Sequence, residues 1–170
     1  SIPLEGALQH KDSLGNVATI NTGEIQVMSA GTGVFHAEYN PDEANPTKFL
    51  QIWVFPNKRN VEPRYDQISI DTETRNEFVQ VLSPNADDAG VWIHQDAWFN
   101  LARFDTGVSK SYKISKGGNG AYIFVLKGSV TVNEQELNDR DAYGIWDTDE
   151  FSITANNDAE FLIMEVPMTF

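Results

Sequence analysis

Two stretches of this chain repeat each other, and the repeat limits the folds available to it. Leu4-Glu5-Gly6 recurs as Leu126-Lys127-Gly128, and Phe49-Leu50-Gln51-Ile52-Trp53-Val54-Phe55-Pro56 recurs as Phe161-Leu162-Ile163-Met164-Glu165-Val166-Pro167. Leu4 and Leu50 lie 46 positions apart while Leu126 and Leu162 lie 36 apart, so the second copy is ten residues shorter in its middle. Two similar β-barrels in tandem fit this spacing better than one sandwich.

Local composition points the same way. Val, Ile and Thr make up 36 of the 170 residues and fall in short runs separated by Gly, Pro, Asn and Asp, the pattern of many short strands. Strands are expected at residues 7–11, 17–20, 25–28, 34–38, 49–55, 91–103, 111–114, 121–126, 129–132, 151–154 and 161–166. The stretch 71–82 reads either way: Thr74-Arg75-Asn76-Glu77 resembles a capping box, but Phe78 to Leu82 alternates and is rich in β-branched residues, which favours a strand in its second half. Residues 40–46 and 56–65 read as surface loops. The expected division is residues 1–60 as the remainder of an N-terminal barrel, 61–88 as the connection, and 89–170 as a C-terminal barrel.

Charge and ligand chemistry narrow the function. Twelve Lys and Arg against 25 Asp and Glu leave a net charge of −13, a field that repels phosphate backbones and argues against direct nucleic-acid binding. No apolar run approaches the roughly 18 residues of a membrane span. With no cysteine and three histidines, thiolate chemistry, zinc ribbons and iron–sulfur clusters are excluded, and any nitrogen ligand must be His10, His36 or His94. No nucleophile elbow or phosphate loop is present.

The stretch Ser29 to Asn40 is where chemistry is expected. On a strand, residues two apart share a face, so His36 and Glu38 point together while Phe35 and Ala37 point the other way. An imidazole and a carboxylate so placed supply two ligands for a mid-row divalent metal, Fe(II) in the first instance; a surface ion pair is the plainer reading of the same residues. Gly31 and Gly33 permit a close approach of the backbone. His10 alternates with Leu8 toward the same interior, and a structural role is expected of it. Trp92, His94, Asp96 and Trp98 would share one face of a long strand, as a His-Asp pair between two indoles.

The runs Ile2 to Asn16 and Gly23 to Asn40, then Leu50-Gln51-Ile52-Trp53, followed more loosely by Ser83-Pro84 and Ile93 to Ala97, resemble the pirins, a family of two-barrel cupins. The resemblance implies an all-β fold of two tandem cupin (jelly-roll) barrels. It also implies one metal, usually iron, held in the N-terminal barrel by three histidines and a glutamate. His36 and Glu38 match two of those ligands, and His36-x-x-x-Asn40 resembles the second cupin motif. The second barrel of pirins has lost its ligands.

Pirins carry a His-x-His pair upstream of the segment matching Ile2, and no such pair occurs here. The chain is therefore expected to be truncated at its N-terminus, with its first barrel incomplete and unable to hold Fe(II) stably by itself. For the parent protein the resemblance implies an iron-dependent oxygenase of the quercetin 2,3-dioxygenase type, acting on a flavonol. Glu38 would serve as ligand and as catalytic base, and Met28, Phe35 and Trp53 would shape the substrate pocket. A non-enzymatic iron- or redox-sensing module that binds a regulator or a metabolic enzyme is the alternative. The expected setting is cytoplasmic, with no nucleic acid or membrane partner, and an opened barrel favours a homodimer or a domain swap.

Overall fold

The computed structural model describes residues 1–169, and every regular element among them is a β-strand. No helix among the described residues is long and apolar enough to cross a membrane. The chain forms two compact units whose segments interleave: residues 1–72 with 85–95, and 73–84 with 96–170.

The first unit contains β1 (Ile2–Glu5), β2 (Ala7–Asp12), β3 (Val17–Asn21), β4 (Glu24–Ser29), β5 (His36–Tyr39), β6 (Lys48–Leu50) and β7 (Arg64–Ser69). They pair antiparallel as β3-β2-β5, β1-β6 and β4-β7. The β2–β3 hairpin turns over residues 12–16, where Gly15 takes a φ of 96° that favours glycine. Gly31 sits at φ 54° with its backbone against Val61, so close that a Cβ would come within 2.2 Å of the Val61 carbonyl oxygen. Ile2, Leu8, Ile20, Ile25 and Val91 make a small apolar core.

The second unit contains β8 (Phe78–Ser83), and, after the two-residue strand β9 (Val91–Trp92) of the first unit, β10 (Trp98–Phe104), β11 (Ser109–Lys113), β12 (Asn119–Lys127), β13 (Val130–Val132), β14 (Gln135–Leu137), β15 (Ala142–Ile145), β16 (Glu150–Ala155) and β17 (Ala159–Pro167). Its strands line up as β15-β12-β17-β10-β8 and as β11-β16-β13-β14. One packed cluster, including Phe104, Ile123, Val132, Phe151, Ile153 and Phe161, fills the interior.

The repeat is a repeat of register. Ile2↔Leu50, Pro3↔Phe49 and Glu5↔Lys48 in the β1–β6 ladder correspond to Phe124↔Leu162, Val125↔Phe161 and Lys127↔Glu160 in β12–β17, with the same irregularity before the last pair. Gly6 and Gly128 follow at φ 74° and 83°. Counting on from these glycines, the pair His10↔Glu38 corresponds to Val132↔Ile153. The offset between copies thus falls from 122 at His10 to 115 at Glu38 and 112 at Leu50, so seven of the ten missing residues precede Glu38 and three follow it.

Three expectations need revision. The stretch 61–88 is not a plain connection, because β7 lies in it and completes a ladder with β4, while β8 belongs to the second unit. Of the strand expected at 49–55, only the part to Leu50 is paired, whereas the counterpart β17 is matched along β12 as far as Pro167. Residues 91–103 are not one strand, since β9 ends at Trp92 and β10 begins at Trp98.

Candidate functional site

The β2–β5 ladder assembles the site. Its register sets His10 opposite Glu38 and Asp12 opposite His36, and directly opposed residues in an antiparallel pair share a face. Two residue types at alternate positions on each strand thus become a two-by-two block of two imidazoles and two carboxylates.

His10 is completely buried, and its Nε2 donates to Asp12 Oδ2 at 3.0 Å. Asp12 also accepts from the backbone N–H groups of Leu14 and Asn16, at 2.9 and 3.0 Å on Oδ1, and from Asn16 Nδ2 at 2.8 Å on Oδ2. Burial works to raise its pKa, but the hydrogen bonds from the Asn16 side chain, His10 and the two backbone amides outweigh it and hold the carboxyl well below the usual carboxylate range. The same turn that closes the β2–β3 hairpin therefore fixes the histidine.

The His10 ring lies between two others. The His36 ring stacks on it at 5.7 Å and 21°, and the Tyr65 ring tilts against it at 4.8 Å. Tyr65 is brought there by β7, and its register partner on β4 is Met28. Burial, helped by the nearby carboxylates of Glu24, Asp12, Glu38 and Asp66, pushes the Tyr65 phenol up to about 12, so it remains a neutral hydroxyl that donates to Gln67 Oε1 at 2.7 Å.

Glu38 is held loosely. Its side chain is 13% exposed, its Oε1 accepts from Ser1 Oγ at 3.4 Å, and the same oxygen stands 3.9 Å from His10 Nδ1. That nitrogen is buried without a hydrogen-bond partner. His36 is exposed at the outer end of the block.

The donors present suit a divalent metal in kind, but they do not close a site. Among the described residues no three His, Asp or Glu side chains are arranged to hold a metal ion. His36 and Glu38 supply two donors, and Asp12 is fully occupied by its four hydrogen bonds.

Of the expected pocket residues, Met28 is half-buried and lies on the Tyr65 side of β4. Phe35 and Trp53 are each 86% exposed. Phe35 follows from strand alternation, which turns it away from His36. Trp53 lies in the stretch that has no ladder partner. Asn40 organises its own loop, accepting from Thr47 Oγ1 and Asp42 N and donating to the Asn45 carbonyl. Gly31 makes the close approach expected of it, whereas nothing lies near Gly33.

The expected His94–Asp96 pair does not form. His94 sits in a bend, its ring edge-on to Trp92 at 4.9 Å, and Arg64 covers Trp92 at 3.9 Å. Asp96 is paired with Lys116. Burial, with Lys58 and Arg64 nearby, lowers the His94 pKa.

Asp12 and Tyr65 carry the site's geometry and were not singled out from the sequence. Asp12 could have been found from His10-x-Asp12, which places both side chains on one face; Tyr65 carries no comparable signal.

The second unit has no equivalent donors. The positions of His10, His36 and Glu38 are taken by Val132, Phe151 and Ile153, all in its packed core.

Residues 1–54 match the family model described as Pirin, and residues 80–166 match the one described as Quercetinase C-terminal cupin domain. The chain is 36% identical over 164 residues to quercetin 2,3-dioxygenase of Escherichia coli K12, covering 96% of this chain and 70% of that protein. It is 37% identical over 163 residues to a pirin-like protein of Caulobacter vibrioides, covering 95% and 69%. The crystal structure of YhhW from Escherichia coli superimposes with a TM-score of 0.92 at 35% identity, over 99% of this chain and 70% of that one. The nickel(II) complex of the same bacterial pirin superimposes with a TM-score of 0.91 at 34% identity, over 99% and 71%.

Proposed function

The chain belongs to the pirin family of two-barrel cupins, and on that premise we propose that it is the site-bearing part of a metal-dependent oxygenase of the quercetin 2,3-dioxygenase type, with a flavonol as substrate and Fe(II) as the ion. The observation that carries the reading is the shared face of His36 and Glu38, opposite a buried His10–Asp12 pair, in the first unit alone. Relatives named quercetin 2,3-dioxygenase and a nickel-bound structural neighbour support the substrate class and the need for a metal.

In this proposal His36 and Glu38 are two of the metal's ligands and further donors come from outside the described residues. Iron supplies the means of activating dioxygen. Glu38, loosely held and partly exposed, accepts the proton of the flavonol hydroxyl. Met28 and Tyr65 line the inner side of the substrate's approach.

The test is anaerobic Fe(II) loading followed by quercetin turnover, made on a form that carries the family's His-x-His strand ahead of Ile2 and on the His36→Ala and Glu38→Gln variants of that form. Turnover that depends on iron and is lost in both variants supports the proposal. Iron-loaded protein that leaves quercetin untouched removes the oxygenase reading.

A further inference from the structure

The unpartnered Nδ1 of His10 is the one buried side-chain nitrogen or oxygen among the described residues that goes without a hydrogen bond. Its situation follows from its other nitrogen. Asp12 is an acceptor to every group around it, taking hydrogen bonds from two backbone amides, Asn16 Nδ2 and His10 Nε2. Nε2 must therefore carry the hydrogen, and in a neutral imidazole the other nitrogen is then a bare lone pair. That lone pair faces the Glu38 carboxylate, a second acceptor, at 3.9 Å.

We propose that Asp12 and His10 form a tautomer lock that leaves Glu38 unbound by His10, its Oε1 held only by the long 3.4 Å contact with Ser1 Oγ. With hydrogen on Nε2, His10 offers Glu38 nothing to bind, and the carboxylate stays available on the His36 side. With hydrogen on Nδ1, His10 would donate to Glu38 Oε1 and draw it onto β2. His10 is thus a positioning residue, fixed by Asp12 and by its place between the His36 and Tyr65 rings. Outer partners commonly set ligand orientation in this way. The inference deepens the proposed function, since the importance of a free Glu38 rests on that reading, but the tautomer itself does not.

The substitution Asp12→Asn separates the two arrangements. Its amide oxygen can keep the Leu14 and Asn16 backbone bonds while its NH2 takes the place of Oδ2 and donates to His10 Nε2, which moves the imidazole hydrogen to Nδ1. The experiment is long-range 15N–1H correlation of the histidine rings in the metal-free chain, for the wild type, Asp12→Asn, Asn16→Ala and Glu38→Gln. The expected spectra show His10 protonated at Nε2 in the wild type and in Asn16→Ala, and at Nδ1 in Asp12→Asn. In Glu38→Gln the side-chain amide should donate to the bare Nδ1 and shift that resonance alone.

A wild-type His10 carrying its hydrogen on Nδ1 overturns the lock, as does an Asp12→Asn spectrum unchanged from wild type. Should Asp12→Asn fail to fold, the wild-type and Glu38→Gln spectra decide the matter, and an Nδ1 resonance indifferent to Glu38→Gln counts against it. Nickel(II) titration of a form that carries the family's His-x-His strand ahead of Ile2 reads the ligand assignment separately: relative to that form, its Asp12→Asn variant should bind about 10- to 100-fold more weakly. Failure of that extended form to bind nickel would count against the proposed function and leave the spectra to judge the lock.

Discussion

His10 and Glu38 face each other across the β2–β5 ladder with Nδ1 and Oε1 3.9 Å apart. At the matching rung of the second unit Val132 faces Ile153, and both are fully buried in an apolar core. One ladder geometry therefore serves two purposes. Where the inward positions are apolar the interior packs solid, and where they are imidazole and carboxylate it presents polar groups that another ligand can use.

Removing the His10 ring should unsettle the first unit. It is fully buried, stacks on His36 and Tyr65 and donates to Asp12. The substitution His10→Ala leaves a cavity and an acceptor short of its donor, at a cost of about 2–4 kcal/mol. Urea denaturation followed by the fluorescence of Trp92, in the same unit, should show the loss, with much less for His94→Ala.

Two glycines only two positions apart should respond differently. The substitution Gly31→Ala puts a Cβ 2.2 Å from the Val61 carbonyl oxygen, against backbone that must move. Gly33 has φ 130° with open space around it, so Gly33→Ala carries the backbone penalty of about 1 kcal/mol alone. A thermal melt should rank Gly31→Ala as clearly the more damaging.

Acid should weaken the first unit through Asp12. Its folded-state pKa is depressed, so its contribution is fully present above the unfolded carboxylate value of about 3.9 and is lost as pH falls through the lower folded value. Stability measured by urea titration should decline below about pH 4, and Asp12→Asn should flatten that part of the profile. An unchanged profile would mean that the hydrogen bonds from Asn16, His10 and Leu14 do not hold the carboxylate in solution.

Much of this was legible from sequence, and the reasons differ by element. The tandem architecture could be read because Leu-x-Gly and the Phe-Leu pairs Phe49-Leu50 and Phe161-Leu162 mark the same rungs of the same ladder in both copies. His36 and Glu38 could be placed on one face because strand alternation is strictly local. The ladder partners were not legible, because nothing local says that β5 pairs with β2 in the register that brings Asp12 and His10 to them. The break at residues 93–97 was also hidden, since Trp92, His94 and Trp98 alternate as a strand would. There the backbone turns instead, with His94 O accepting from Asn57 N and Gln95 Nε2 donating to Phe55 O.

The second unit offers an independent check on how buried charge is accommodated. Glu165 is fully buried, and it accepts from Tyr112 Oη, the backbone amides of Ser115 and Lys116, and Asn119 Nδ2. The substitution Glu165→Leu would leave these donors without their acceptor and should cost about 3–5 kcal/mol. The loss should appear in denaturant unfolding with the His36–Glu38 face unaltered.

The most direct measurement is metal content by plasma mass spectrometry after Fe(II) loading. It should be made on this chain, on a form carrying the family's His-x-His strand ahead of Ile2, and on the His36→Ala and Glu38→Ala variants of that form. The account expects about one iron in the extended form, little or none in this chain, and loss of the ion in both variants. Iron that stays bound when His36 and Glu38 are removed, or an extended form that takes up none, would contradict the assignment of these two residues as ligands.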